Sequence, residues 1–190
     1  MSKEQIKLRS MIITALFAAI IGVMAQLTIP LPLVPITGQT LAIGLAATIL
    51  GARYGTLSVL LYIAIGSIGV PVFAEFSAGL SVLVGPTGGF LIGFIPATFI
   101  IGLFLEKLGF TFKNAIIANI IGMLITLAFG TVWLKIATDL SWVSALASGF
   151  TPFLVVGTIK AILASWIGII VRKRLLSAKL LISNDIKQSA

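Results

Sequence analysis

Cysteine and histidine are both absent from the 190-residue chain, and only five of its residues are acidic. Without cysteine the chain forms no disulfide and offers no thiolate as a nucleophile or a metal ligand. Without histidine it lacks the usual general base at neutral pH and the commonest metal ligand. These absences close most hydrolytic and metal-dependent mechanisms, so we expect neither an enzyme nor a resident metal or cofactor.

Charged residues of any sign are scarce, at 9%, whereas hydrophobic residues make up 59% of the chain and the mean hydropathy is +1.20. Such a chain has too few polar side chains to cover a water-soluble domain. We therefore expect an all-α integral membrane protein, folded as a single domain over residues 1–190 and surrounded by lipid in the cell membrane. The net charge of +8 does not indicate a nucleic-acid partner, because the basic residues lie at the ends of apolar runs.

Six apolar runs predict six transmembrane helices, although the second is short for a full span. Between the second and third runs, residues 52–55 (ARYG) predict a turn. A signal peptide is the alternative for the first run, but residues 26–30 (QLTIP) do not resemble a cleavage site. The six runs are residues 10–29, 40–51, 55–68, 88–105, 114–136 and 151–171.

The basic residues predict the orientation, since short cytoplasmic segments are enriched in Lys and Arg. With the N-terminus inside, only Lys135 and Lys160 of the basic residues fall outside cytoplasmic segments. Both termini are then cytoplasmic, residues 1–9 as a short N-terminal segment and residues 175–190 as a tail. Glu75 and Asp139 fall on the outer side.

Residues 66–90 are apolar but too rich in Gly and Pro to form one continuous helix, and they carry a lone acid, Glu75. Irregular backbone at membrane depth is tolerated only where protein buries it or where it lines a cavity. This stretch therefore predicts an outer, pocket-forming loop. Its last part, from Pro86 to Gly89, is typical of a helix start, whose free N–H groups favour the polar or anionic part of a ligand.

Lys160 lies near the middle of the last apolar run. A lysine at the bilayer centre is disfavoured by about 2.5 to 3.5 kcal/mol, so it should face the protein interior and have an anionic partner. That partner is either a ligand or, in a purely structural role, Glu75 or Asp139.

Four short motifs at matching intervals resemble the BioY family, the biotin-binding S components of energy-coupling-factor (ECF) transporters. They are residues 34–41 (VPITGQTL), 51–55 (GARYG), 69–73 (GVPVF) and 85–90 (GPTGGF). The resemblance implies a membrane subunit that captures biotin from outside. It also implies a partner module of two cytoplasmic ATPases and a transmembrane coupling protein.

In that family an Ala-x-x-x-Ala pattern on the first helix contacts the coupling protein, and Ala15 and Ala19 match it. From spacing alone, this small-residue face could equally pack against another helix of the same chain.

Biotin has a carboxylate, an apolar chain and ring, and a ureido group with N–H donors and a carbonyl acceptor. In one arrangement Lys160 takes the carboxylate, and Glu75 or Gln39 accepts from the ureido N–H groups. In the opposite one the carboxylate lies at the helix start and Lys160 pairs with Asp139. Donors to the ureido carbonyl in the first arrangement are Thr37, Thr87, Gly88 or Gly89, and the last three bind the carboxylate in the second. The expected apolar walls are Tyr62, Phe73, Phe76 and Phe90.

No Gly-x-x-x-x-Gly-Lys-Ser/Thr loop occurs, so the chain is not expected to couple transport to ATP by itself. The alternative is a self-sufficient secondary transporter or facilitator in which Glu75 or Asp139 takes up a proton. In either case, the proline-rich residues 30–39 predict a lid that closes over the ligand from outside.

Overall fold

The computed structural model describes residues 3–181, which form a bundle of helices. Five stretches are long and apolar enough to cross a membrane, which confirms the expected, nearly all-helical membrane fold. The helices are α1 (Lys3–Ala25), α2 (Gln39–Ser67), α3 (Leu80–Val84), α4 (Gly88–Leu108), α5 (Phe112–Thr138), α6 (Trp142–Gly149) and α7 (Thr151–Ser177).

α2 turns back on itself at Gly51, where φ is 80° and ψ is −172°. The amide of Gln39 donates to the hydroxyl of Tyr62 at 2.5 Å, although the two residues are 23 positions apart. In a straight helix they would be about 34 Å apart. Residues 39–50 and 52–67 therefore lie side by side as two antiparallel halves of α2.

The two helices predicted for this region are thus present, but the turn predicted at residues 52–55 is wrong. Those residues are helical, and the chain reverses at Gly51 instead. Glycine adopts this left-handed conformation without the steric penalty that a side chain brings. The carboxylate of Glu106 accepts from the backbone N–H of Ala52 at 2.9 Å and so caps the second half of α2.

Close packing holds the bundle together at the end where α2 reverses. α4 crosses the reversal at Gly102, where an added Cβ would overlap the backbone of Gly51 and Ala52. From α7, Arg172 donates to the carbonyl of Ile49, and its guanidinium lies 3.5 Å from the ring centre of Phe110. We call this region, built around Gly51, the closed end.

α1 ends at Ala25, so the prediction of a helix to residue 29 is wrong. Thr28–Ile29 (β1) instead pairs antiparallel with Ile36–Thr37 (β2), with Thr28 opposite Thr37 and Ile29 opposite Ile36. The prolines between the two strands prevent a regular helix there, and the strand pairing satisfies part of the backbone. Residues 30–35 form the tip of this hairpin.

The other helices differ from the predicted apolar runs mainly in length. α1 begins at Lys3 and α7 continues to Ser177, so both helices extend past the predicted apolar runs into the neighbouring basic segments. Residues 182–190, the larger part of the predicted tail, lie outside the described residues, as do residues 1–2. The short α6, which the sequence did not predict, begins at Trp142 and is capped by Ser141, whose hydroxyl accepts from the N–H of Ser144 at 3.2 Å.

Between α2 and α4 the backbone is irregular, as expected for residues 66–90, apart from α3 and a 3-10 turn at Ala74–Phe76. Glu75 and Phe76 are both left-handed, with φ of 57° and 55°. Phe73 folds inward and is 1% exposed in the main core cluster. This segment and the β hairpin lie at what we call the open end, opposite the closed end.

Candidate substrate-binding site

A cavity of about 290 Å³ lies at the open end, between the helices and the two irregular segments. Its size is close to the lower limit of about 300 Å³ for pockets that bind small molecules. Most of its wall is apolar, with aromatic side chains from the loop after α2 and from α4 and α7. The aromatic lining residues are Phe73, Phe90, Phe94 and Phe153.

Seven of the residues predicted for the site line this cavity. Among the described lining residues Glu75 is the one acid and Lys160 the one base. The chain thus brings two opposite charges, 85 positions apart in the sequence, to the wall of a mostly apolar space. The seven residues are Thr37, Gln39, Phe73, Glu75, Thr87, Phe90 and Lys160.

Lys160 is half-buried and its ammonium donates to the carbonyl oxygen of Thr37 at 2.6 Å and to the hydroxyl of Thr40 at 3.3 Å. Within residues 3–181 it forms no ion pair with Glu75 or Asp139. Its contacts link α7 to the junction between β2 and α2, at the base of the hairpin. The ammonium is therefore held at the cavity by neutral oxygen acceptors.

A buried hydrogen-bonded chain stands behind this part of the wall. The hydroxyl of Thr37 donates to the amide oxygen of Gln39 at 2.7 Å, and the amide nitrogen of Gln39 donates to the hydroxyl of Tyr62. Tyr62 is 1% exposed and meets Phe73 edge to face, with 5.5 Å between the ring centroids. Tyr62 is thus not part of the lining, but it supports two residues that are.

The start of α4 offers less to a ligand than its sequence predicted. Thr87 lines the cavity, but the N–H of Gly88 already donates to the carbonyl of Gly85 at 3.0 Å. Gly89 is buried, and an added Cβ there would overlap Trp133 of α5. The two glycines bring α4 close to neighbouring backbone and side chains and lie outside the cavity wall.

Two other predicted residues also lie outside the wall. The side chain of Phe76 is 71% exposed. Asp139 is exposed and ends α5 in a left-handed conformation, with φ of 52°. Their placement at the surface separates them from the seven lining residues.

Asn119 of α5 is a polar lining residue that the sequence analysis missed. It is 4% exposed and donates to the hydroxyls of Thr48 and Ser165 at 3.0 and 3.2 Å. The signal was available, since an amide in the middle of an apolar helix needs polar partners from other helices. Asn119 adds an amide to the deep part of the cavity.

Glu75 reaches the cavity from strained backbone. A left-handed residue with a side chain is disfavoured by about 1 to 2 kcal/mol, and such a conformation persists only where surrounding contacts hold it. Here Glu75 is followed by a second such residue, Phe76. Strain of this kind concentrates at ligand-binding sites, which makes the segment a candidate for recognition.

The outward face of α1 carries Ala15 and Ala19, and both are exposed. Ala18 and Ile21 instead face the interior, with 3% and 0% exposure. The small-residue pair is therefore not used for packing within the described chain. Large apolar side chains surround it on the same surface: Leu8, Met11, Ile12, Leu16 and Val23.

Comparisons with known proteins agree with this architecture. The model of the BioY family matches residues 1–177. A biotin transporter of Lactococcus lactis subsp. cremoris is 46% identical over 166 residues, which cover 87% of this chain and 91% of the relative. A biotin transporter of Thermotoga maritima is 40% identical over 167 residues, covering 87% of this chain and 97% of the relative.

The fold is also similar to a solved structure, the crystal structure of the S component for biotin from an ECF-type ABC transporter. The TM-score is 0.82 at 32% sequence identity, and the match covers 91% of this chain and 95% of the other. Most of the fold described above therefore has a counterpart in that S component.

Proposed function

This chain belongs to the BioY family, and we propose from that premise that it is the S component that captures biotin from outside and delivers it through an ATP-driven ECF module. The observation that carries the proposal is the cavity at the open end. Its mostly apolar wall, with one acid and one base, is complementary to a ligand with an apolar body, an anionic end and N–H donors.

Lys160 is the residue proposed to bind the carboxylate of biotin. Its ammonium lies on the cavity wall and has two neutral acceptors, the Thr37 carbonyl and the Thr40 hydroxyl. A carboxylate compensates the positive charge better than either of them, because it carries a full negative charge, whereas a carbonyl or hydroxyl oxygen offers only a dipole. The opposite arrangement is less favourable, since the N–H of Gly88 is already used within the loop.

Glu75 is proposed to accept hydrogen bonds from the ureido N–H groups, because it is the acid on the described wall. Phe73 and Phe90 then contact the apolar ring and chain. Gln39 contributes through its remaining acceptor capacity, since its amide oxygen already accepts from Thr37. Tyr62 supports this arrangement from behind.

For the topology, we propose six crossings with both termini in the cytoplasm, counting the two halves of α2 separately. The first half, residues 39–50, is about 18 Å long, well short of the roughly 30 Å hydrocarbon core. Its outer end is covered by the β hairpin, so no unpaired backbone needs to meet lipid. The basic residues around the closed end place that end in the cytoplasm.

The outward face of α1 is proposed as the contact for the transmembrane coupling protein. Ala15 and Ala19 are exposed there and allow another helix to approach closely. The ATPases of the module then supply the energy, which this chain has no phosphate-binding loop to capture.

Calorimetric titration of the purified protein tests the ligand directly. Biotin is expected to bind, biotin amide to bind more weakly because it lacks the charge that Lys160 compensates, and a ureido-modified analogue to bind more weakly because it loses donors to Glu75. Absence of biotin binding by folded protein would refute the proposal.

Depletion of cytoplasmic ATP distinguishes an S component from a facilitator. Uptake that needs an ECF module is expected to stop when ATP is exhausted. Downhill biotin flux that continues would instead identify a self-sufficient carrier.

A further inference from the structure

Gln26, the residue after the last turn of α1, binds the backbone on both sides of Glu75. Its amide nitrogen donates to the carbonyl of Phe73 at 3.0 Å, and its amide oxygen accepts from the N–H of Phe76 at 2.9 Å. The same nitrogen also donates to the carbonyl of Gly22 at 3.0 Å, within α1. One side chain thus joins the rigid end of α1 to the segment that carries Glu75.

This segment needs such a support. Glu75 and Phe76 are consecutive left-handed residues, neither of them glycine. Phe76 is mostly exposed, so its side chain does not hold the conformation by packing. Within the segment, Phe73 and Ser77 and then Ser77 and Ala74 are joined by backbone hydrogen bonds, but the N–H of Phe76 has its acceptor outside, in Gln26. Hydrogen bonds from outside the segment therefore help to keep the strained geometry populated.

We propose that Gln26 is a positioning residue for ligand binding: by clamping the Phe73 carbonyl and the Phe76 N–H, it holds Glu75 in the orientation that lines the cavity. The inference rests on the proposed function, in which Glu75 accepts from the ureido group. Glutamine suits the role because one planar group supplies a donor and an acceptor at the same time.

The first test is the variant Gln26→Met, which keeps the length of the side chain and removes its hydrogen-bonding atoms. Purified full-length protein is titrated with biotin in a calorimeter. We expect biotin affinity to fall about tenfold. Without Gln26, part of the binding free energy must be used to populate the strained backbone conformation of Glu75 and Phe76. Unchanged affinity would overturn the proposal.

A double-mutant cycle separates positioning from a general loss of structure. If Gln26 acts through Glu75, Gln26→Met should lower biotin affinity by less than about threefold in a Glu75→Gln background. An equal tenfold loss in both backgrounds would show that Gln26 acts elsewhere and would overturn the proposal.

Glycine rescue tests the strain itself. Phe76→Gly allows the left-handed conformation without penalty, so in the Gln26→Met background it should recover most of the lost affinity. Failure to recover would contradict the role of strain.

Asn114→Leu is the matched control. Asn114 also binds two backbone carbonyls, those of Leu108 and Gly109, but it lies in the first turn of α5 and outside the cavity lining. Its removal should leave biotin affinity within about threefold of the wild-type value. A tenfold loss in this variant would remove the specificity claimed for Gln26.

Hydrogen exchange provides a readout that needs no ligand. In ligand-free protein, Gln26→Met should accelerate exchange of the Phe76 amide, whose N–H loses its acceptor. If wild-type protein fails to bind biotin but this acceleration occurs, the proposed function fails while the clamp stands. Unchanged exchange would refute the clamp, whatever the ligand.

Discussion

The two ends of the helix bundle reverse the chain in different ways. At the closed end, a single glycine, Gly51, turns α2 back on itself, and the turn is held by Glu106 and Arg172 and covered by Gly102. At the open end, the reversals use a β hairpin and the connection of residues 68–87 between α2 and α4, which is irregular apart from α3 and the 3-10 turn, and a cavity lies beneath them.

The difference follows from what each end does with its polar groups. At the closed end Glu106 and Arg172 bond to backbone groups of the same chain, and the close approach at Gly51 and Gly102 gives a compact base. At the open end Glu75 and Lys160 line a cavity and have capacity left for a ligand. Binding sites keep such capacity at the cost of local stability, because polar groups that await a ligand are not fully used in folding.

The largest effect is expected from blocking the face of α1, which belongs to neither end. Ala15→Trp or Ala19→Trp should abolish uptake and leave biotin binding to the isolated protein intact, because a bulky exposed side chain prevents helix approach without reaching the cavity. Uptake into cells and calorimetry of purified protein give the two measurements.

Ala128→Trp on α5 is the control, since Ala128 is also exposed on a long helix. It should preserve uptake. Normal transport by both α1 variants would rule out docking through this face.

At the open end, Lys160→Met should lower biotin affinity by about 2 to 5 kcal/mol, the range for truncating a buried charge pair. The unfolding temperature should change little, because the loss of the bond to Thr37 is offset by removal of a half-buried cation. Biotin amide should be affected much less than biotin. Titration with both ligands and thermal unfolding measure these effects.

The control is Lys135→Met, the same substitution at a lysine whose ammonium lies 5.6 Å from the ring centre of Trp142, away from the cavity. It should leave the affinity unchanged. Equal weakening of biotin and its amide by Lys160→Met would place the carboxylate elsewhere.

At the closed end, Gly51→Ala should destabilise the fold by about 2 kcal/mol or more, through left-handed strain and overlap with the carboxylate of Glu106. Biotin affinity of the remaining folded protein should not change. Thermal unfolding and calorimetry together test whether the two ends are independent.

Gly109→Ala separates backbone strain from steric overlap, because Gly109 has a φ of 93° but no atom within 4 Å of an added Cβ. It should cost only the strain, about 1 kcal/mol. A Gly51→Ala protein with impaired biotin affinity would show that the closed end does shape the cavity.

The smallest effect concerns the lid. Leu33 lies on the hairpin tip and lines the cavity, yet it is 37% exposed. A cysteine introduced there should react at least about threefold more slowly with an impermeant thiol reagent when biotin is saturating, because closure restricts access. Native cysteines do not interfere, since the chain has none.

A cysteine at Val143 of α6, which is 79% exposed and outside the cavity lining, is the control and should react equally with and without biotin. Equal rates at both positions would mean that the hairpin is a fixed wall.

Much of the fold follows from the order of residues alone. Apolar run lengths predict the helices, the prolines of residues 30–35 predict the break after α1, and the cost of placing Lys160 at the bilayer centre marks it for the protein interior. These properties belong to single residues or short segments, so hydropathy and backbone sterics are enough to read them.

The tertiary structure decides which neighbours each residue meets, and those neighbours are distant in the sequence. Tyr62 and Phe76 are both aromatic residues expected to wall the pocket, but Tyr62 supports the cavity wall from behind and Phe76 is exposed. Gln26 lies 47 positions before Phe73 in the sequence and acquires a role only because the end of α1 lies directly beside Phe73 in the fold. Hydropathy and periodicity are local quantities, whereas a cavity, a clamp and a helix reversal at Gly51 arise from contacts that form only when the chain has folded.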